Sequence, residues 1–272
     1  AIFPPTRGSH VFGPMLKIGW GTPTIIAASV GVVLEIPSFR IAILGNIEMA
    51  LPSLEVERPE GMPEEVPFPP IQVNLDVVGI IDIPGKTLSL DASLYDSRIM
   101  QWTMAGDMAL RSSWGERSRF LLSIGGFNPR YEPPGGFPEL DRVTVSLDVP
   151  GGQPVIDFTG YLAVTSNTFQ VGAQVNAELE VGPLYVYGGL GFDALFRFDP
   201  FSFIFDFFAH FGVEFKGFEL SVGVDGAISG PSPFHIRGTV HVSVGPFDVS
   251  ADIDLTLGKD AKTKQLPTAE VL

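Results

Sequence analysis

Cysteine is absent from the 272 residues. That removes disulfides, thiol nucleophiles and cysteine-ligated zinc together. Cationic residues are scarce: 17 Lys and Arg stand against 31 Asp and Glu, a net charge of −14. An acidic surface repels phosphate backbones, so nucleic acid is not an expected partner. No run reaches the ~18–20 continuous apolar residues of a membrane-spanning helix. The nearest, residues 25–34, is too short and contains Ser29 and Gly31. Tyrosine (5) and tryptophan (3) are few beside 22 phenylalanines, which leaves little for the aromatic girdles of an outer-membrane barrel. The chain opens Ala1-Ile2-Phe3-Pro4-Pro5, without an initiator Met or a signal-peptide pattern, and reads as a piece of something longer.

What is present is period-two alternation. From Phe169 the odd positions are Phe, Val, Ala, Val, Ala, Leu and Val, while the even ones are Gln, Gly, Gln, Asn, Glu and Glu. A strand gathers every apolar side chain of such a run on one face; a helix would scatter them. The pattern recurs through residues 184–198, 201–215, 218–228, 234–244 and 247–257, broken at short joins rich in Gly, Pro and Asp. Short joins require antiparallel neighbours, so the C-terminal part predicts an up-and-down meander of about six strands over 155–258. Residues 25–35, 39–51, 71–83, 87–94, 100–110, 119–127, 142–149 and 155–164 predict further strands. Residues 52–70 predict an exposed loop, and 259–272 a frayed tail. The fold expected is all-β, a single module of one large antiparallel meander sheet that forms a barrel, a sandwich or a curved groove. The Pro- and Gly-rich stretch near 128–141 is a loop or a sub-boundary.

No motif for chemistry survives its context. Gly85-Lys86-Thr87 looks like the end of a phosphate-binding loop, but the glycine needed five residues earlier is Ile80, and Leu88, Leu90 and Leu94 continue as a strand. A hairpin turn is the better reading. Gly188-Gly189-Leu190-Gly191 lies inside a strand pattern, where glycines mark a bulge, a bend or close backbone approach. His235 and His241 are roughly 20 Å apart on one strand, too far to share an ion; only His210 with His235 remains as a pair to consider. Asp248, Asp252 and Asp254 share a polar strand face and cannot curl around calcium as a loop does. No carboxylate pair stands out, and there is no Gly-x-Ser-x-Gly. The expectation is therefore a non-enzyme with no catalytic residue, metal or cofactor.

Several segments carry a resemblance when taken together. They are Gly19-Trp20-Gly21-Thr22-Pro23-Thr24, Ser89-Leu90-Asp91-Ala92-Ser93-Leu94-Tyr95-Asp96-Ser97, Gly106-Asp107-Met108-Ala109-Leu110-Arg111, Gly125-Gly126-Phe127-Asn128-Pro129-Arg130, Leu162-Ala163-Val164-Thr165-Ser166-Asn167-Thr168 and Gly191-Phe192-Asp193-Ala194-Leu195-Phe196. Over roughly residues 3–253 the chain resembles a bacterial family of long β-rich proteins known only as a domain of unknown function. The resemblance implies a β-sheet module, with other domains of the longer polypeptide as partners, and brings no activity and no site residues.

The apolar face itself poses the functional question. Six strands of about 12 residues give it roughly 1,100 Å², whereas a typical monomer exposes patches of only ~300–600 Å². Three covers are open. The first is the N-terminal half, giving a purely structural sandwich or filled barrel. The second is an acyl chain or other apolar ligand seated against Phe192, Phe196, Phe198, Phe203, Phe205, Phe207, Phe211 and Phe215. The third is a lipid bilayer around an outer-membrane barrel, which the short joins disfavour.

Overall fold

The computed structural model describes residues 7–22, 24–51, 71–116 and 118–258. The stretches at 52–70 and 259–272, read above as a loop and a tail, lie outside the described residues. Among the described residues all regular structure is strand. The first eight are β1 (His10–Phe12), β2 (Met15–Trp20), β3 (Ile26–Ile36), β4 (Arg40–Leu51), β5 (Ile71–Asp82), β6 (Thr87–Ile99), β7 (Trp102–Ser113) and β8 (Arg119–Ile124). The next eight are β9 (Val143–Leu147), β10 (Val155–Thr165), β11 (Thr168–Val181), β12 (Leu184–Arg197), β13 (Ser202–Phe215), β14 (Phe218–Gly230), β15 (Phe234–Val244) and β16 (Phe247–Leu257). They form one antiparallel sheet in the order β1, β3 to β8, then β10 to β16.

Sixteen strands fill fourteen lateral positions, because two positions are shared. β1 and β2 lie end to end along β3, with His10 opposite Ile36 and Trp20 opposite Ile26. β8 and β9 lie end to end between β7 and β10: Met108 and Leu162 flank Ile124, while Met104 and Phe158 flank Val145. The chain between them, 125–142, leaves the sheet and returns to it. The sheet is continuous across this segment.

Register carries the alternation from strand to strand. Residues directly opposite each other share a face, and the ladders align Ile41 with Ile81, Leu90 with Leu110, Val171 with Ala194, Phe205 with Ile228 and Val240 with Ala251. From β6 onward the lateral positions turn their main apolar set to the same side, while β3 to β5 also carry apolar residues on the other face, Val33, Ala42 and Ile80 forming one row there. The N-terminal strands lie beside the C-terminal ones and extend their apolar face. Among the described residues the N-terminal and C-terminal strands belong to one sheet, side by side. Fourteen positions of about 11 residues make that face roughly 2,400 Å².

Glycine within the strands has a consistent partner. Tyr161 is opposite Gly172, Tyr187 opposite Gly212, Phe207 opposite Gly226, and Phe208 opposite Gly191. In each pair the ring lies where the glycine's Cβ would stand; at Gly191 the Phe208 ring would be only 2.7 Å from it. Gly189 and Gly191 thus mark close approach by neighbouring side chains, while the nearest atom to a Cβ at Gly188 would be the His210 carbonyl oxygen at 3.3 Å. Gly85-Lys86-Thr87 is a hairpin turn, with Lys86 at φ 52° and the Gly85 N–H donating to Asp82 Oδ1 at 2.8 Å.

Candidate functional site

The best-enclosed core lies on the polar side of the sheet. Segment 125–142 folds over β7 to β13 and buries Ala109, Leu121, Ala163 and Leu195. Beneath it Ser123 and Gln170 have no exposed surface and Asn128 has 1%. Asn128 N–H donates to Gln170 Oε1 at 3.0 Å, Gln170 Nε2 donates to Thr168 Oγ1 at 2.9 Å, and Ser123 Oγ donates to the Gly126 carbonyl at 2.6 Å, while the buried Asn128 Nδ2 has no hydrogen-bond partner among the described residues. Arg142 donates to the carbonyls of Gly125 and Phe127 and stacks 3.9 Å above the Tyr161 ring. Tyr161 donates to Asp193 Oδ1 at 2.6 Å, and Arg130 makes a two-pronged pair with Asp206 at 2.7 and 2.9 Å. Two-pronged pairs fix geometry as well as adding energy. This network pins the segment.

Burial pushes the Tyr161 hydroxyl well above the ordinary tyrosine range, and the hydrogen bond to the Asp193 carboxylate adds to the effect. The folded state therefore holds the neutral phenol that the unfolded chain ionises near pH 10. Its contribution is complete below that pH and is lost as pH rises above it. Alkaline unfolding should be less steep above about pH 10 in Tyr161→Phe than in the parent chain, as read by melting curves across pH. Parallel curves would refute the assignment.

The opposite, apolar face is open. Leu190 is 57% exposed, Phe211 52% and Val222 49%. Across β10 to β15 this face sinks into a trough of about 560 Å³, within the roughly 300–1,000 Å³ usual for small-molecule sites. Its floor is low because small residues adjoin: Ala177 opposes Gly188 across β11 and β12, and Ala209 opposes Leu190 and Val224. Larger aliphatic side chains at Ile156, Val175, Leu179, Val186 and Leu190 form its sides, with Phe211.

The phenylalanines singled out in the sequence distribute differently. Phe192, Phe196, Phe203, Phe205, Phe207, Phe211 and Phe215 all lie on the apolar face. Phe198 lies beyond the end of β12, in the turn, and is 53% exposed. Phe192 stacks on Phe205 at 5.6 Å and Phe196 on Phe203 at 6.1 Å, with Phe207 against Phe205 at 6.0 Å. These rings fill the space around one another, so the concavity falls in the aliphatic half of the strands and only Phe211 of the eight lines it. Sequence reasoning missed Ala177, Gly188 and Ala209. The signal was there: small residues interrupt the large ones on the apolar phase of three successive strands.

The histidines also fall otherwise than their spacing suggested. His210 is opposite Gly223, which is opposite His241, whereas His235 pairs with Ser229 further along β14. His210 therefore shares a row with His241 and not with His235. Among the described residues no group of three or more His, Asp or Glu could hold a metal ion, and no helix is long and apolar enough to cross a membrane. Asp248, Asp252 and Asp254 are exposed along β16, with Asp252 accepting from Thr239 Oγ1 at 2.8 Å.

A family model described as a family of unknown function, DUF6603, matches residues 1–271. No curated protein and no solved structure matches the chain.

Proposed function

Since the chain belongs to DUF6603, a family of unknown function, we propose from the sheet itself that it is a non-enzymatic β-module whose trough holds the acyl chain of a lipid-like amphiphile. The observation that carries this reading is the apolar trough of about 560 Å³, on a face where Leu190, Phe211 and Val222 are about half exposed. Water against so wide an apolar surface is costly, at about 25 cal/mol for each Å², so a flexible hydrocarbon chain gains by lying along it. The trough crosses the strands, and a chain lying in it would span several of them while its headgroup stayed in solvent. The module's place within a larger bacterial polypeptide, implied by the resemblance above, belongs to the same proposal.

The test is direct. Protein purified in plain buffer should run as a soluble species and yield near-stoichiometric lipid on organic extraction and mass spectrometry. Delipidated protein should bind a fluorescent C18 fatty acid saturably. A clean extract together with no saturable binding would refute the trough and return the face to a purely structural role. Aggregation reversed by detergent alone would favour a membrane location.

A further inference from the structure

The polar face carries a hollow of its own, on the other side of the sheet from the trough. Two neighbouring cross-strand rows run beneath it. One is Thr159, Gln174, Gly191, Phe208, Asp225 and Thr239; the next is Tyr161, Gly172, Asp193, Asp206, Ala227 and Arg237. Gly172, Gly191 and Ala227 keep the floor low, and Pro129 and Arg130 of segment 125–142 form a wall. The result is two adjoining clefts, of about 460 and 150 Å³, that share Asp193 and Phe208.

Phe208 is an aromatic ring on the polar phase of its strand, and it does not stand alone. His210 lies 5.9 Å from it, Tyr187 lies 6.2 Å from His210, and Tyr185 lies 5.4 Å from Tyr187. The four rings make a ridge that starts at the clefts and runs along β12 and β13. Three of them lean over glycines of the facing strand: Phe208 over Gly191, His210 over Gly189 and Tyr187 over Gly212.

The charged groups around Phe208 are largely engaged with one another. Arg130 donates to both oxygens of Asp206, the Tyr161 hydroxyl donates to Asp193, and Asp225 stands 3.6 Å from His241. Three carboxylates against the two guanidinium groups of Arg130 and Arg237 repel an anion. Carboxylates that already face a donor or a cation offer little to a further cation. What these groups retain is hydrogen-bonding capacity. A carboxylate oxygen has lone pairs to spare, and Gln174 both donates and accepts. Arg237 has only a loose partner in Asp254, at 3.8 Å.

We propose that the cleft and ridge bind a neutral oligosaccharide, its chain laid along β12 and β13. A sugar hydroxyl both donates and accepts, which suits a mixture of carboxylate, amide and guanidinium groups. The C–H groups of a pyranose face carry slight positive charge and seek the electron-rich face of an aromatic ring. A row of rings suits a run of repeated sugar units. One unit sits in the cleft against Phe208, and those after it pass along His210, Tyr187 and Tyr185. The site faces away from the trough and does not depend on what the trough holds.

Cellohexaose, xylohexaose, mannohexaose and maltohexaose are the probes, titrated calorimetrically into the whole chain. At least one should bind saturably with a Kd of about 1 mM or below, and about tenfold or more tightly than its own disaccharide. Binding should survive about 0.5 M NaCl, because no net charge is neutralised. Phe208→Leu keeps bulk over Gly191 but removes the ring face, and should weaken the hexasaccharide about tenfold. Should that variant fail to fold, Gln174→Ala, at an exposed position, carries the test with a loss of about fivefold. No saturable binding of any of the four up to about 5 mM, or affinity unchanged in the folded variants, would overturn the proposal. So would a hexa-arginine peptide that binds more tightly than all four and is released by the same salt, which would make this face a dock for a cationic segment.

Discussion

Gly125→Ala is expected to cost about 3 kcal/mol or more, a fall of roughly 6–12 °C in the melting temperature of a chain this size. Gly125 ends β8 at φ 72°, a conformation that L side chains rarely adopt. A Cβ there would stand 2.5 Å from the Gly160 carbonyl oxygen and 2.8 Å from the Val143 backbone nitrogen. Both are backbone atoms of the sheet, Gly160 on the neighbouring β10 and Val143 at the start of β9 in the same lateral slot, so relief requires the sheet to move. The position is where the chain leaves its lateral slot and lets β9 take it over. Gly182→Ala separates the two causes. Gly182 has φ 59° but nothing within 4 Å of a Cβ, so it should show only backbone strain, about 1 kcal/mol. Equal losses for the two variants, measured by thermal or denaturant unfolding, would show that the slot exchange around Gly125 is wrong.

The second large effect concerns binding without stability. Leu190→Asp should weaken uptake of a C18 fatty acid at least about a hundredfold, because a carboxylate beneath a hydrocarbon chain is desolvated without a partner. In the free protein Leu190 is 57% exposed. The same change should leave unfolding within about 0.5 kcal/mol of the parent, as for most surface substitutions. His241→Ala, on the opposite face, should alter neither. Isothermal or fluorescence titration beside a melting curve reads both quantities. If Leu190→Asp binds as the parent does, the trough is not the site. If it unfolds the chain as Gly125→Ala does, the face is covered from within.

The strands were legible because their evidence is local. The alternation from Phe169 to Val181 fixes which side chains share a face, and joins such as Gly182-Pro183 and Gly245-Pro246 admit only antiparallel neighbours. Phe127, Arg142 and Met100 fell outside the strands expected for them, since an apolar or long residue beside a strand carries the same local signal as one within it. The lateral arrangement was not legible. Alternation states that a face is apolar and is indifferent to whether another sheet lies over it, so side-by-side and face-to-face halves read alike. Burial on the polar side was hidden for the opposite reason. Gln170 occupies a polar phase and reads as solvated, yet segment 125–142 encloses it completely because Asn128 and Thr168 satisfy its amide. The trough was half legible. Phenylalanine marks the correct face, but rings that stack on one another leave no room, and the hollow follows Ala177, Gly188 and Ala209.

One consequence of the meander is kinetic. Large β-proteins usually fold slowly, because their ladders join residues far apart in sequence and the loop must be ordered before any contact forms. Here most ladders join a strand to the next one along the chain; the ladders β7–β9 and β8–β10 around segment 125–142, and β1–β3, are the exceptions among the described residues. Each hairpin can zip onto the last as it leaves the ribosome, at about 5–20 residues per second. The growing end is then always a naked edge, and its protection during synthesis rests on how soon the following strand emerges.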